Sequence, residues 1–497
     1  MTITLTKRRI LLGLAAIALT AAVALLLARQ LLTALAVSTL LKLGGASNIN
    51  FTITAASPWR VVVEDIGFSI RTQSFEAKRV TFTRAHWWMP SLGVVSVEQA
   101  RVPVTIDGSD TNPMAWARYS GGQASVQPWQ APLEELSVDG QLVVKAAALP
   151  PQELAVKLGA RLTPEKNWTA QVRADGPGFN LQGEATYDVG KDDLAFKVPA
   201  VALDLKTWQE FIRRLVVIPG GAWEAEGKFT GSAEGRLAGK ELTTTGKLRL
   251  REGRSKNDTL GVVAEGIELD LEFTDVAKAI TRPGSLRIRE LQTGKLRLQN
   301  MDYAFALEGP DKLVVSRASF QALGGSVSTE PFAYFPNQRE LDAVVLVDGL
   351  DVEQVMALTQ DLPAKATGRV NGRFPLRIDD GGLRLGTGWL QLKPGVYAEI
   401  QFNTSGLLTR GVSTANPSYA VLKKVESGLL KLKISEMRLD IRPPNAPPGR
   451  SAQLHLAGEP VDPDVKAPVV LDLNVNGPLE KLINLGLDSR LRFGSKP

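Results

Sequence analysis

From residue 48 onward, apolar and polar positions alternate in short stretches. Ile267, Leu269, Leu271 and Phe273 interleave with Glu268, Asp270 and Glu272, and residues 286–289, 430–434, 437–442 and 469–476 repeat the pattern. A period of two places one set of side chains on a buried face and the other in water. Half-buried strands are therefore predicted. Asp139-Gly140, Asp379-Asp380-Gly381-Gly382 and Asn476-Gly477-Pro478 punctuate them at short intervals, as antiparallel hairpins require. Helical periodicity is confined to residues 205–215, 351–362, 419–427 and 479–485. The predicted fold is mainly β, with a few short helices.

Ahead of the strands, residues 10–28 form an uncharged run of 19 residues rich in Leu, Ala and Ile. Lys7, Arg8 and Arg9 precede it and Arg29 follows. As a helix the run spans about 28 Å, close to the hydrocarbon thickness of a bilayer. The basic cluster before it predicts a cytoplasmic N-terminus and a transmembrane helix, with the remaining chain exported. A cleaved signal peptide, with Ala34-Leu35-Ala36 as the cleavage motif, is the competing reading and also exports the body. Residues 30–43, again mostly apolar, extend the helical pattern along the membrane surface.

Charge follows the same division. The formal net charge of +6 is concentrated at Lys7, Arg8, Arg9, Arg29 and Lys42, with no acid among residues 1–43. The near-neutral body offers no nucleic-acid-binding face. Cysteine is absent and histidine is limited to His86 and His455, which excludes disulfides, thiolate nucleophiles and Cys/His zinc clusters. The chain also lacks a G-x-S-x-G elbow, a phosphate-binding loop and an H-E-x-x-H helix. The reading is accordingly non-enzymatic, with no cofactor and no metal. His86, beside Trp87 and Trp88, reads as part of an aromatic or interfacial cluster, and His455 as a residue of a solvated strand face.

One-sided strands over some 450 residues must bury their apolar faces somehow. Separate sandwiches, small barrels and one long sheet curled along its length all satisfy the alternation. For the curled sheet, about 30 strands at about 4.8 Å spacing would stack to around 140 Å. Its apolar faces would line an open groove. The inward register of the best strands supplies the candidate lining: Ile267, Leu269, Leu271, Leu430, Leu432, Ile434, Leu471, Leu473 and Val475. Eight of the nine tryptophans lie in the first half of the chain. Core packing accounts for such residues, while Trp59, Trp87 and Trp88 are also candidates for the membrane interface.

The segment containing Gly368, Gly372, Arg373, Pro375 and Leu376, continued by Gly388, Leu390, Pro394 and Gly395, resembles a signature of the YdbH-like family. That family is a branch of the AsmA-like proteins of Gram-negative envelopes. Gly324-Gly325-Ser326-Val327, Gly349-Leu350-Asp351 and the strands at residues 456–459 and 467–475 resemble further family segments, and residues 90–98 have the rhythm of AsmA-like N-termini. The resemblance implies a taco-shaped, phospholipid-conducting β-groove anchored in the inner membrane, with its body in the periplasm and no catalysis. It divides the chain into an anchor and surface helix (1–43), an AsmA-like groove region (44–300) and a YdbH-like C-terminal groove domain (301–497). It also implies an outer-membrane lipoprotein partner at the C-terminal sheet edge. An alternative is a periplasmic scaffold assisting outer-membrane protein assembly. For a lipid conduit the physical requirement is continuity: exposing acyl chains costs about 0.8 kcal/mol per CH₂, hence over about 20 kcal/mol for two ordinary chains.

Overall fold

The computed structural model describes residues 33–475, apart from 36, 40, 43–45, 58, 71–72, 85–92, 107–132, 216–222, 240, 337, 339, 359–363, 380–381, 403–405, 407–408, 443–450, 464 and 466. Residues 33–35, 37–39 and 41–42 are helical, as expected for the segment after the apolar run. The run itself, Trp87, Trp88, His86 and the helix expected at 479–485 lie outside the described residues. Among those described, no helix is long and apolar enough to cross a membrane.

The strands divide between two compact units, Met1–Val217 with Gly231–Thr243 and Ile218–Thr230 with Thr244–Pro497. The first unit contains β1 (Ala46–Ala56), β2 (Arg60–Ile70), β3 (Gln73–Thr83), β4 (Gly93–Ile106), β5 (Leu133–Ala146), β6 (Gln152–Leu162), β7 (Asn167–Gly176), β8 (Phe179–Asp188), β9 (Asp193–Asp204) and helix α1 (Leu205–Leu215). These strands pair in chain order, antiparallel except for β4 and β5, which run parallel. Parallel neighbours need a crossover connection; the residues between the two strands, 107–132, lie outside the described residues.

The unit boundary passes through β10 (Glu224–Ala238) and the start of β11 (Glu241–Asn257). The second unit continues with β12 (Val262–Asp275), β13 (Ile280–Thr281), β14 (Gly284–Thr293), β15 (Leu296–Leu307), β16 (Leu313–Ala322), β17 (Gly325–Thr329), β18 (Phe332–Phe335), β19 (Glu340–Asp351) and α2 (Val352–Ala357). It then holds β20 (Ala364–Ala366), β21 (Arg369–Asp379), β22 (Gly382–Leu385), β23 (Gly388–Leu392), β24 (Ala398–Phe402), α3 (Tyr419–Leu430), β25 (Lys431–Ile441), β26 (Ala452–Pro460) and β27 (Val469–Val475). Antiparallel pairing runs without interruption from β11 through β12, β14, β15, β16, β17, β19, β21, β23, β25 and β26 to β27. The expected hairpin after Asp379 is present, with Asp379 opposite Gly382.

Three local expectations are corrected. Asp139-Gly140 is not a turn but the middle of β5. A Cβ on Gly140 would lie 2.4 Å from the Ala100 carbonyl oxygen, so the glycine permits close approach of β4. Leu430 does not begin a strand; it ends α3, and the strand starts at Lys431. Residues 430–434 and 437–442 are not two strands, because β25 runs through both with a bulge between Ile434 and Glu436.

Bulges of this kind keep the apolar set on one face. In β2, Val63 and Ile66 face the same cluster with Glu64 and Asp65 (φ 53°) passed over between them; β3 and β4 make the same three-residue step at Ala77 to Val80 and Val97 to Ala100. In the second unit the step recurs at Ala264 to Ile267 and Leu298 to Met301, where Gly266 and Asn300 adopt positive φ. Glycine, Asn and Asp tolerate that conformation best. Each bulge bends its strand and increases local twist.

α1 shows why helices are sparse here: each needs an apolar face to cover. Asp204 Oδ1 accepts from the Thr207 N–H at 3.0 Å and caps its start. Trp208 and Phe211 are buried against Val144, Ala146 and Leu154, and Trp208 Nε1 donates to the Pro177 carbonyl at 2.9 Å.

Candidate functional site

Cross-strand register shows which side chains share a face. Leu250, Leu269, Leu286 and Tyr303 stand opposite one another across β11, β12, β14 and β15. Gly253, Ile267, Ile288 and Met301 form the next row. Nearer the C-terminus, Phe320, Val327, Val347, Gly372, Leu390, Leu439, Leu454 and Leu473 make one apolar row over eight consecutive strands. No hydrophilic side chain interrupts it.

The opposite face is charged and paired. Arg251 Nη2 donates to both carboxylate oxygens of Asp270 at 2.8–2.9 Å, and Arg317 meets Asp302 at 2.7 Å, Arg373 meets Glu330 and Arg377 meets Glu340, both at 3.0 Å. Such exposed pairs contribute little to stability. They identify the wet face, so the apolar rows lie on the other side of the same strands.

Most residues in those rows, including Ile267, Leu269, Leu286, Ile288, Leu439 and Leu454, are half-buried. An opposing sheet in a sandwich would bury such positions fully. The expected lining residues accordingly separate into distinct environments. Ile267, Leu269 and Leu271 are half-open on β12. Leu432 (1% exposed) and Ile434 are buried in a cluster with Ala398, Ile400 and Leu456. Leu471 is half-buried and Leu473 is 42% exposed on β27. Val475 pairs with Ala452 through its backbone; its side chain lies outside the described residues. Leu430 belongs to the helix. Trp59 is 49% exposed just before β2.

Register also supplies partners that the sequence left unassigned. Leu286, Ile288, Met301 and Leu390 complete the rows, but alternation within one strand cannot say which strand lies beside it. Polar atoms on this face include the Tyr303 hydroxyl, whose pKa burial raises, Thr329 Oγ1, a buried atom without a hydrogen-bond partner among the described residues, and the buried side chains of Asn257, Thr281 and Thr293. Burial keeps the tyrosine neutral.

His455 sits on the polar register of β26, as expected, with Nδ1 at 2.8 Å from Asp472 Oδ1 on β27. The hydrogen bond to Asp472 raises the histidine pKa above its usual value of about 6.5. The pair stabilises the fold most below the unfolded-state pKa and loses that contribution as pH rises through the folded-state value. An NMR titration should place His455 above about 6.5, and Asp472→Asn should lower it. Equal values in the two proteins would discount the pair.

The YdbH-like family, described as intermembrane phospholipid transport protein YdbH, matches residues 65–396, about two thirds of the chain. The chain belongs to this family. No curated protein and no solved structure matches it. In this YdbH-like chain the matched residues carry the three-residue steps of β3, β4, β12 and β15 and the first five residues of the eight-strand apolar row. A family of intermembrane phospholipid transport proteins acts at the cell envelope, and its substrate has the long acyl chains that a half-open hydrocarbon face can solvate.

Proposed function

We propose that the protein is a non-enzymatic conduit, moving phospholipids through the periplasm between inner and outer membranes along its apolar β-face. The supporting observation is the row from Phe320 to Leu473: a hydrocarbon path over eight paired strands, half-open along most of its length, with charges confined to the reverse. Acyl chains would lie on this face while headgroups stay in water. Residues 10–28 would hold the chain in the inner membrane as a single-pass anchor, with Trp59, Trp87 and Trp88 near the interface.

Among the described residues β27 pairs with β26 alone. Free backbone N–H and C=O groups along a sheet edge can accept another strand. An outer-membrane lipoprotein adding strands there would extend the path, consistent with the family's role between membranes.

Photo-crosslinkers in living cells test both parts. At Leu269 they should capture phospholipid, whereas at Asp270, one residue away on the reverse face, they should not. Carried along β27, the series should also trap a protein partner. Equal lipid labelling at Leu269 and Asp270 would discard the conduit, and lipid capture with no protein band from β27 would discard the partner.

A further inference from the structure

The dry face of the second unit is not uniformly hydrocarbon, and its polar groups differ in how they are satisfied. Asn257 Oδ1 accepts from the Leu260 N–H at 2.8 Å, and Thr281 Oγ1 from the Leu307 N–H at 2.9 Å. Thr293 is engaged as well. Tyr303 is different: no hydrogen bond joins its hydroxyl to any described residue, and burial, without a hydrogen-bonding or charged neighbour, shifts its pKa.

Tyr303 stands in the middle of the face. Along β15 it lies between Met301, which is buried, and Phe305, which is half-buried; across the strands it continues the row of Leu250, Leu269 and Leu286. Beyond it the row passes through the buried Ala318 to Thr329, whose Oγ1 is enclosed and likewise unpaired among the described residues. The two unpaired hydroxyls thus flank one small residue in a single cross-strand row, on strands about 10 Å apart. Thr329 Oγ1 is enclosed, whereas Tyr303 is half-buried on the open side. A tyrosine withdrawn from water ordinarily finds a partner for its hydroxyl, and a donor left unpaired costs free energy. An acceptor arriving from the open side of the face removes that cost.

We infer that Tyr303 recognises the ester linkage of a phospholipid, its hydroxyl donating to a carbonyl oxygen at the head of an acyl chain lying on the face. The inference rests on the conduit reading and adds chemical selectivity to it. Acyl chains themselves carry no acceptor, and the phosphate and headgroup stay in water. The ester carbonyls are the acceptors that enter with the hydrocarbon. Water on the half-open face is the competing partner, and it would satisfy the hydroxyl with no selectivity among lipids.

A photo-crosslinker at Leu286, directly opposite Tyr303, allows the full chain to be labelled with radioactive phosphatidylglycerol bearing ester-linked oleoyl chains. Unlabelled competitors are the same diester and the dialkyl ether lipid of equal chain length, in which a CH₂ replaces each carbonyl. The diester should compete about fivefold better, the worth of one neutral hydrogen bond. Tyr303→Phe removes the hydroxyl, keeps the ring and should make the two competitors equal. Tyr334→Phe removes a hydroxyl from the row of Leu307, Leu313 and Leu341, four positions further along the strands, and should retain the preference. The melting temperature of Tyr303→Phe should not fall, because no hydrogen bond within the protein is lost.

Equal competition in the parent chain would overturn the inference and leave water as the partner of the hydroxyl. A diester preference that survives Tyr303→Phe, or one that disappears in Tyr334→Phe, would do the same. So would a lowered melting temperature, which would give the hydroxyl a partner within the fold. Lipid capture at Leu286 and Leu269 separates the two readings. If both positions capture lipid but the competitors are equal, the conduit stands without ester recognition; if neither captures lipid, the conduit fails and the inference with it.

Discussion

Leu269→Asp should yield a folded protein that no longer transfers lipid. Leu269 is half-buried between Leu250 and Leu286. Losing partial burial of a leucine should cost about 1 to 2 kcal/mol, within the reach of a stable unit. The new carboxylate can keep its hydration through the open side of the face. An acyl chain crossing that point must instead pass a charge, and a barrier increase of about 3 kcal/mol would slow transfer over a hundredfold. Vesicle-to-vesicle transfer of labelled phospholipid and a circular-dichroism melt measure the two effects. Glu268→Lys, on the exposed reverse register, should leave transfer unchanged. If Leu269→Asp unfolds the protein, the face is a closed core and the conduit loses its main support.

The alternation that identified Leu269 was readable because each strand has one wet and one dry face. β12, β14, β27 and the helix at Leu205–Leu215 could all be found from local pattern. Two limits of that pattern are equally physical. At Ser435 the period of two breaks, and a break can signify a turn or a bulge; the structure has a bulge, so two expected strands became β25. At Gly140 the residue that normally permits a turn permits close approach of β4 instead.

The candidate site was legible in its chemistry but less so in its exposure. Ile267, Leu269 and Leu271 occupy the expected register on the half-open face. Leu432 and Ile434 share their pattern, yet they are packed beneath neighbours contributed by β24 and β26. Depth is a property of the assembled layers, which the alternation of one segment does not contain. Leu430 illustrates another limit: its apolar neighbour pattern fits both the strand it was expected to begin and the helix it ends.

Leu432→Asp should therefore have a different outcome from Leu269→Asp. At 1% exposure, Leu432 contacts a cluster that includes Ala398, Ile400, Ile434 and Leu456. Aspartate there forfeits about 2 to 3 kcal/mol of side-chain burial and strands a carboxylate without a partner or solvent. A combined loss above about 4 kcal/mol lies in the range reserved for such mechanisms. Leu432→Ala, which leaves a cavity but no charge, should cost about 2 to 5 kcal/mol. Proteolysis of the full chain should show cleavage within residues 398–475 in the aspartate variant under conditions where the parent protein is intact. If that variant instead resists protease and melts with the parent, water reaches residue 432 and the dry cluster around β24 to β26 opens in solution. The half-open face would then extend through the very strands that α3 packs against, and transfer by Leu432→Asp should fall as steeply as by Leu269→Asp.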